Sequence, residues 1–438
     1  MSEMLVDIPN HAGWHNNRID KLCSLARRGT APVYVENSNV KAIGQRCVTH
    51  SDFDPSYARP HSEKATSNIL KAQLNDVLLN STGTGTIGRS VVFSESGEFI
   101  VDGHVTVLRP HQDLVDSRWL NAVIRSKWFQ RHLERFCYTG STNQLELSRT
   151  YLNSSSLPTP TEEEQSQIGD VLDALDTQIR ETEAIIAKLQ QVKKGLLHDL
   201  LTRGVDENGE LRPSFEDAPE LYQLTPQGHI PNSWVLKSLS SYTSSLITYG
   251  IVQAGPHIDG GIPYIRTGDM SGNKLTKEGM LCTSDKIAAN YLRSKVETGD
   301  IVMAIRATVG KVLTVPNELN GANLTQGTAR VAPNTATDRN FLLWAIRHHR
   351  TQKAVTNEIK GTTFAEITLA ALREVLVASP KEKSEQTVIG NRLKAIADKV
   401  EQEQALLQKL KLRKSGLMDD LLTGKIRVTD LIKQHQTC

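Results

Sequence analysis

The chain has 438 residues, 38% of them hydrophobic and 23% charged, enough for two or three domains that each bury a core. It shows no membrane-length apolar run and no charged–apolar–small leader layout, so a cytoplasmic location is expected and membrane function is excluded. Five scattered cysteines (Cys23, Cys47, Cys137, Cys282, Cys438), never in a C-x-x-C pair, argue against a zinc cluster or a disulfide framework.

The net charge of +2 hides an uneven distribution. Residues 14–160 carry 17 Lys/Arg against 13 Asp/Glu, and residues 231–380 carry 16 against 11. Residues 161–203 carry 5 against 9, and residues 204–230 carry 1 against 6. Positive charge thus gathers in two blocks, which a polyanion would feel although the total is near neutral.

In chain order, residues 1–13 read as a tail and residues 14–160 as a mixed α/β lobe. Its segment Val40-Lys41-Ala42-Ile43-Gly44-Gln45-Arg46 supplies Lys41, Gln45 and Arg46 as candidate DNA contacts, with a plain surface role as the alternative. Strand-like runs follow at Val77-Leu78-Leu79, Val91-Val92-Phe93 and Val105-Thr106-Val107-Leu108. Between the first two lies Gly83-Thr84-Gly85-Thr86-Ile87-Gly88-Arg89-Ser90, which fits G-x-G-x-x-G and falls one residue short of a P-loop. Nucleotide binding is rejected there, because a strand follows where phosphate needs a helix N-terminus. Arg89 also stands where the P-loop needs Lys, and its planar fork has another shape. A tight hairpin loop remains, with Thr84 and Arg89 facing either DNA or solvent. One amphipathic helix is expected over 118–136. The loop Gly140-Ser141-Thr142-Asn143-Gln144 then pairs glycine with side chains suited to adenine edges and phosphates, or else forms a turn or helix cap.

Residues 161–203 read as a long helix. Apolar residues at Ile168, Leu172, Leu175, Ile179, Ile186, Leu189, Leu196 and Leu200 alternate spacings of four and three, with gaps at Thr182 and Lys193. At 1.5 Å per residue it spans roughly 60 Å. Residues 204–230 are acidic and punctuated by glycine and proline, and read as a linker with little structure of its own. The second lobe, 231–380, offers Arg266 and Thr267, then Arg306-Ala307-Thr308-Val309-Gly310-Lys311, with Arg306, Thr308 and Lys311 as candidates. A second amphipathic helix is expected over 340–356, and its His348-His349 pair reads as a solvated basic face. Thr362 and Thr363 follow Gly361 as a counterpart of the 140–144 loop. Residues 381–424 form the second long helix, with a seam at Ile389, Leu393, Ile396, Val400, Leu407, Leu410, Leu417 and Leu421, and residues 425–438 a tail.

Shifted by 221 residues, the chain lies on itself. Glu164-Gln165-x-x-Ile168-Gly169 matches Glu385-Gln386-x-x-Ile389-Gly390, and Gly195-Leu196-x-x-Asp199-Leu200-Leu201-Thr202 matches Gly416-Leu417-x-x-Asp420-Leu421-Leu422-Thr423. Upstream, Trp14 pairs with Trp234, Asp76 with Asp300, and Ile87-Gly88-Arg89 with Val309-Gly310-Lys311. Each seam hides one apolar stripe, so each helix needs a partner, either its own duplicate or its own lobe. The expected fold is therefore mixed α/β: two lobes joined by two long antiparallel coiled-coil helices, with an internal pseudo-twofold duplication.

No Asn-Pro-Pro-Tyr or Asp-Pro-Pro-Tyr methyltransferase motif, Walker lysine or H-E-x-x-H occurs, so no catalytic site and no metal site is expected in this chain. The paired helix starts and ends, Gly204-Val205-Asp206-Glu207-Asn208-Gly209, Ile230-Pro231-x-x-Trp234 and the two loops ending in Gly88-Arg89 and Gly310-Lys311 resemble the specificity (HsdS) subunit of type I restriction-modification systems over about 14–424. The resemblance implies a non-catalytic subunit whose two target-recognition domains each read half of a bipartite, asymmetric site in double-stranded DNA, the helices setting the unread spacer. It implies two modification subunits that use S-adenosylmethionine to methylate adenine N6, and two restriction (motor-nuclease) subunits that use ATP and magnesium, with no cofactor in this chain. A protein-binding coiled-coil scaffold and an orphan specificity-like protein are the alternatives.

Overall fold

A computed structural model describes residues 13–65, 69–141, 144–361 and 365–428. The chain divides into two compact units, Met1–Glu183 with Leu406–Cys438, and Ala184–Ala405. Both boundaries cut through long helices, Glu162–Thr202 and Lys383–Leu422, instead of falling at their ends. Each unit therefore holds one lobe, the near half of one helix and the far half of the other.

The units share a strand plan. In unit 1 the leading strand His15–Arg18 pairs antiparallel with the closing strand Ser156–Thr159, which runs into the first helix. In unit 2 Trp234–Ser238 pairs in the same way with Leu376–Pro380. A four-stranded sheet forms the middle of each lobe: Cys23–Arg28, Val105–Pro110, Val77–Asn80 and Ser90–Val92 in unit 1, and Thr248–Tyr249, Thr328–Val331, Ile301–Ala304 and Val312–Thr314 in unit 2. A three-stranded sheet accompanies each, centred on Lys41–Ile43 and on Ile262–Ile265. The run Val77–Asn80 is buried along its length, as is Ile301–Ala304, because both faces of these central strands are covered.

The Glu-Gln pair that opens each long helix has the same role twice. Gln165 Nε2 donates to Pro160 O and its Oε1 accepts from Asp116 N, both at 3.0 Å. Gln386 makes the matching bonds to Pro380 O at 3.0 Å and from Asp338 N at 2.9 Å. These tie the helix start to the N-cap of the lobe helix, Asp116 or Asp338. The glycine of the motif permits that approach: a Cβ at Gly390 would stand 2.6 Å from Phe341 N, and one at Gly169 would stand 3.0 Å from Arg118 Nε.

The glutamate anchors a second junction. In unit 2 Glu385 accepts from Arg212 Nη1 at 2.5 Å and Nη2 at 2.9 Å, from Trp234 Nε1 at 2.9 Å and from Val205 N at 3.1 Å. In unit 1 Glu164 accepts from Arg427 Nε and Nη2, both at 2.6 Å, and from Trp14 Nε1 at 3.2 Å. In each unit an arginine lying just past the end of one long helix closes on the glutamate at the start of the other. That arrangement requires the helices to run antiparallel within the unit. The ion pairs Glu183–Lys411 at 2.7 Å and Asp176–Lys414 agree, since the numbering falls along one helix as it rises along the other.

The seam serves two purposes along its length. Leu175, Ile179 and Leu410 bury one another between the helices in unit 1, whereas Ile168, Leu172 and Leu421 enter the lobe core beside Trp119 and Phe129. In unit 2 Leu200, Leu201, Ile389 and Leu393 join Trp234 and Phe341 likewise. Helix pairing and lobe docking thus both occur.

Three expectations need correction. Residues 204–230 carry structure: Asp206 Oδ1 accepts from Asn208 N and Glu210 N in a turn, Val205 is buried, and Tyr222–Thr225 pairs with Gly228–Pro231 in a hairpin. Each amphipathic lobe helix is two, Ser117–Arg125 with Lys127–His132 and Arg339–Arg347 with His349–Asn357, since Ser126 and His348 adopt extended backbone angles. The His348-His349 pair is only half a solvated face: His349 is exposed, but His348 is 8% exposed, and burial beside His349, Arg350 and His198 pushes its pKa down to about 3.

Candidate nucleic-acid interface

The glycine-rich segment of unit 1 joins Val77–Asn80 to Ser90–Val92, so a strand does follow it and the phosphate-cradle geometry is absent. Its ends close through Gly88 N to Asn80 O and Asn80 N to Arg89 O, both at 2.9 Å. The loop in unit 2 closes alike, Gly310 N to Ala304 O at 3.1 Å and Ala304 N to Lys311 O at 2.8 Å. Gly88 and Gly310 have φ of 84° and 92°, in the left-handed region that favours glycine. Ala307, at φ 60°, takes the left-handed turn that Gly85 takes in unit 1, so the loop path persists where the glycine does not.

Each loop is braced by a glutamine from the second lobe helix. Gln130 Nε2 donates to Gly88 O at 2.9 Å and to Ile124 O at 2.7 Å. Gln352 Nε2 donates to Gly310 O at 3.1 Å and to Ile346 O at 2.7 Å. A Cβ at Gly88 would fall 2.7 Å from Gln130 Oε1, and one at Gly310 would fall 2.5 Å from Gln352 Oε1. Glycine is thus needed twice over, for its φ and for the brace. At the end of each central strand away from the loop lies a largely buried ion pair, Arg109 Nε to Asp76 at 2.8 Å and Arg330 Nε to Asp300 at 2.6 Å. Beside the unit 1 loop opens a cleft of about 690 Å³, lined among others by Gly85, Arg89, Arg125, Gln130 and Tyr138.

A loop built twice on one plan, in a chain with a duplicated helix pair, meets its match among known proteins. The type I restriction modification DNA specificity domain matches residues 12–191 and 257–412. The chain belongs to this specificity family. It is 27% identical over 344 residues to a protein of Methanocaldococcus jannaschii assigned as the MjaX type I restriction enzyme specificity subunit, covering 78% of this chain and 76% of that one. It is 23% identical over 381 residues to the MjaVIII specificity subunit of the same organism, covering 84% and 83%. The crystal structure of the type I restriction-modification S subunit of M. genitalium superposes with a TM-score of 0.58 at 15% identity, covering 95% of this chain and 97% of that chain.

In this specificity subunit the candidate residues divide by what they already hold. Arg89 turns back to Gly85 O at 2.6 Å and so staples its own loop. Arg266 is spent on Asp269, at 3.0 and 2.7 Å, and Arg306 on Glu366 at 3.0 Å. Gln45 donates to Thr82 O at 2.8 Å and ties the segment after Lys41–Ile43 to the glycine-rich loop. Arg46 lies over the Tyr57 ring at 4.8 Å with its charge still exposed. Lys41, Thr84, Thr308, Ser141 and Gln144 are exposed, and Lys311 and Thr267 are half-buried. Thr267 stands beside Arg306 across Gly327. Thr142, Asn143, Thr362 and Thr363 lie outside the described residues. The helix caps next along the chain are Ser148 and Thr368.

Sequence reading missed Gln130, Gln352, Arg109 and Arg330. All four recur at the repeat offset (Gln130 with Gln352, Arg109 with Arg330), and that recurrence was the available signal. Among the described residues no group of three His, Cys, Asp or Glu is placed to hold a metal, and no helix is long and apolar enough to cross a membrane.

Proposed function

We propose that each unit reads one short half of a bipartite, asymmetric site in double-stranded DNA, and that the two long helices set the unread spacer. The observation that carries this is the glutamine-braced loop ending in glycine and a basic residue, which occurs once in each unit. Such a loop presents hydrogen-bonding side chains on a fixed backbone, as base-edge reading requires. The relatives' names as specificity subunits support the same reading. Two modification subunits supply S-adenosylmethionine and methylate adenine N6 after flipping the base. Two motor-nuclease subunits supply ATP and magnesium chemistry, and this chain takes no cofactor and acts in the cytoplasm.

The test is co-expression with a cognate modification subunit, followed by genome-wide mapping of N6-methyladenine. A single bipartite motif that disappears when this chain is deleted is the expected result. Methylation indifferent to the deletion overturns the proposal and leaves the protein-binding scaffold.

A further inference from the structure

Unit 2 contains a cluster of basic side chains that form no ion pair with a carboxylate among the described residues. Lys193, on the first long helix, lies 5.2 Å from the centre of the Trp344 ring, which Arg347 also covers at 4.8 Å. Arg347 donates to Val312 O and Arg350 to His229 O, each at 2.8 Å, and neither meets a carboxylate among the described residues. His198 and His349 are exposed beside them. Burial lowers the pKa of Lys193, Arg347, Arg350 and His349, and the neighbours that add to the shifts are themselves basic.

The helix His349–Asn357 starts inside this patch without a side-chain cap. At the same position in unit 1 Ser126 accepts from Phe129 N at 3.3 Å. In unit 2 His348 caps nothing, is 8% exposed, and has a buried Nε2 with no partner. First-turn N–H groups left uncapped favour an anion.

Unit 1 neutralises the corresponding place. There Lys414 pairs with Asp176, and Lys127 with Asp419 at 3.9 Å. By the repeat, Lys193 replaces Lys414 and His349 replaces Lys127, while Ala397 replaces Asp176 and His198 replaces Asp419. Both acids have gone and the bases have stayed.

We propose that Lys193, His198, Arg347, His349 and Arg350, with the uncapped helix start, form a sequence-independent anchor for the phosphodiester backbone of duplex DNA, in unit 2 and not in unit 1. Guanidinium forks and free backbone N–H groups suit phosphate oxygens, and such contacts position a duplex without reading it. The inference rests on DNA being the ligand and is independent of which bases are read.

The test gives unit 2 the acids of unit 1. The full-length chain carrying Ala397→Asp and His198→Asp is titrated with a mixed-sequence duplex over a salt series. Each phosphate contact contributes roughly 0.9 to the slope of log K against log salt, so losing one or two lowers the slope by about 1–2. At fixed low salt the affinity falls several-fold. The neutral pair Ala397→Asn/His198→Asn is expected to hold most of the slope, and exposed His349→Glu serves if the aspartate variant does not fold. An unchanged slope overturns the anchor. So does an unchanged slope with weakened capture of a modification subunit, which would assign the patch to an acidic protein surface. A changed slope in a chain that directs no motif-specific methylation would keep the anchor and sink the site-reading proposal.

Discussion

Replacing Glu385 by alanine isolates the junction at the start of the second long helix. The carboxylate takes four hydrogen bonds, two from Arg212 and one each from the Trp234 indole and Val205 N. The side chains of Arg212 and Glu385 are 15% and 11% exposed, so little water stands ready to replace the lost partner. Removing one member of a buried pair costs about 3–5 kcal/mol, mostly for the charge left behind. That is roughly two to nearly four powers of ten in a local opening equilibrium. Glu385→Gln, which keeps one acceptor for the indole, is expected to lose about 1.5–3 kcal/mol, the range for bonds to a charged group. The assay is hydrogen exchange read on peptides covering 234–238 and 376–380, the sheet that Trp234 belongs to. Arg212→Met made together with Glu385→Gln restores neutrality, so the double variant is expected to lose less than the sum of the singles. A cost below about 1 kcal/mol for Glu385→Ala, or additive singles, refutes the claim that this pair holds the antiparallel junction.

The two motif glycines are expected to differ. Gly390→Ala drives a methyl to 2.6 Å from Phe341 N and is expected to cost about 1–3 kcal/mol, whereas Gly169→Ala meets the flexible Arg118 and lies near neutral, as thermal unfolding will report. Gly310→Ala, strained at φ 92° and blocked by Gln352, is expected to abolish methylation at the motif while the four-stranded sheet stays protected from exchange. His348 has its pKa lowered to about 3, so the unfolded chain binds more protons between about pH 6.5 and pH 3. Stability from this group is full above pH 6.5 and falls as pH drops, by about 2 kcal/mol at pH 5. His348→Gln is expected to flatten the urea midpoint between pH 7 and pH 5, and an unchanged pH dependence contradicts the burial argument.

The duplication was legible because its motif residues repeat matching roles: Glu and Gln bond the same junction at both helix starts, and Gly leaves room for the lobe helix to approach. The arginines that close each junction were hidden, because Arg427 follows Thr423 almost at once whereas Arg212 follows Thr202 across the Gly204–Glu210 turn, which breaks the offset. Residues 204–230 misled for a related reason: glycine, proline and aspartate mark tight turns in ordered chain as well as in flexible linkers. The breaks at Ser126 and His348 left the apolar period nearly intact, so only backbone angles disclose them. For the candidate arginines the sequence showed the residue type but not whether the guanidinium is already spent. Arg266 and Arg306 are answered by Asp269 and Glu366, and the second of these is remote in sequence.

The division of the helices also sets an order of assembly on the ribosome. Unit 2 is one unbroken stretch of chain, Ala184–Ala405, and can complete its core as soon as that stretch emerges. Unit 1 begins first but needs Leu421, Leu422 and Arg427 to fill its core and close on Glu164. At about 5–20 residues per second, its lobe waits tens of seconds with Glu164 still lacking the Arg427 guanidinium. The lobe made first is therefore the last to be finished, and nascent unit 1 is the part of this chain most in need of a chaperone.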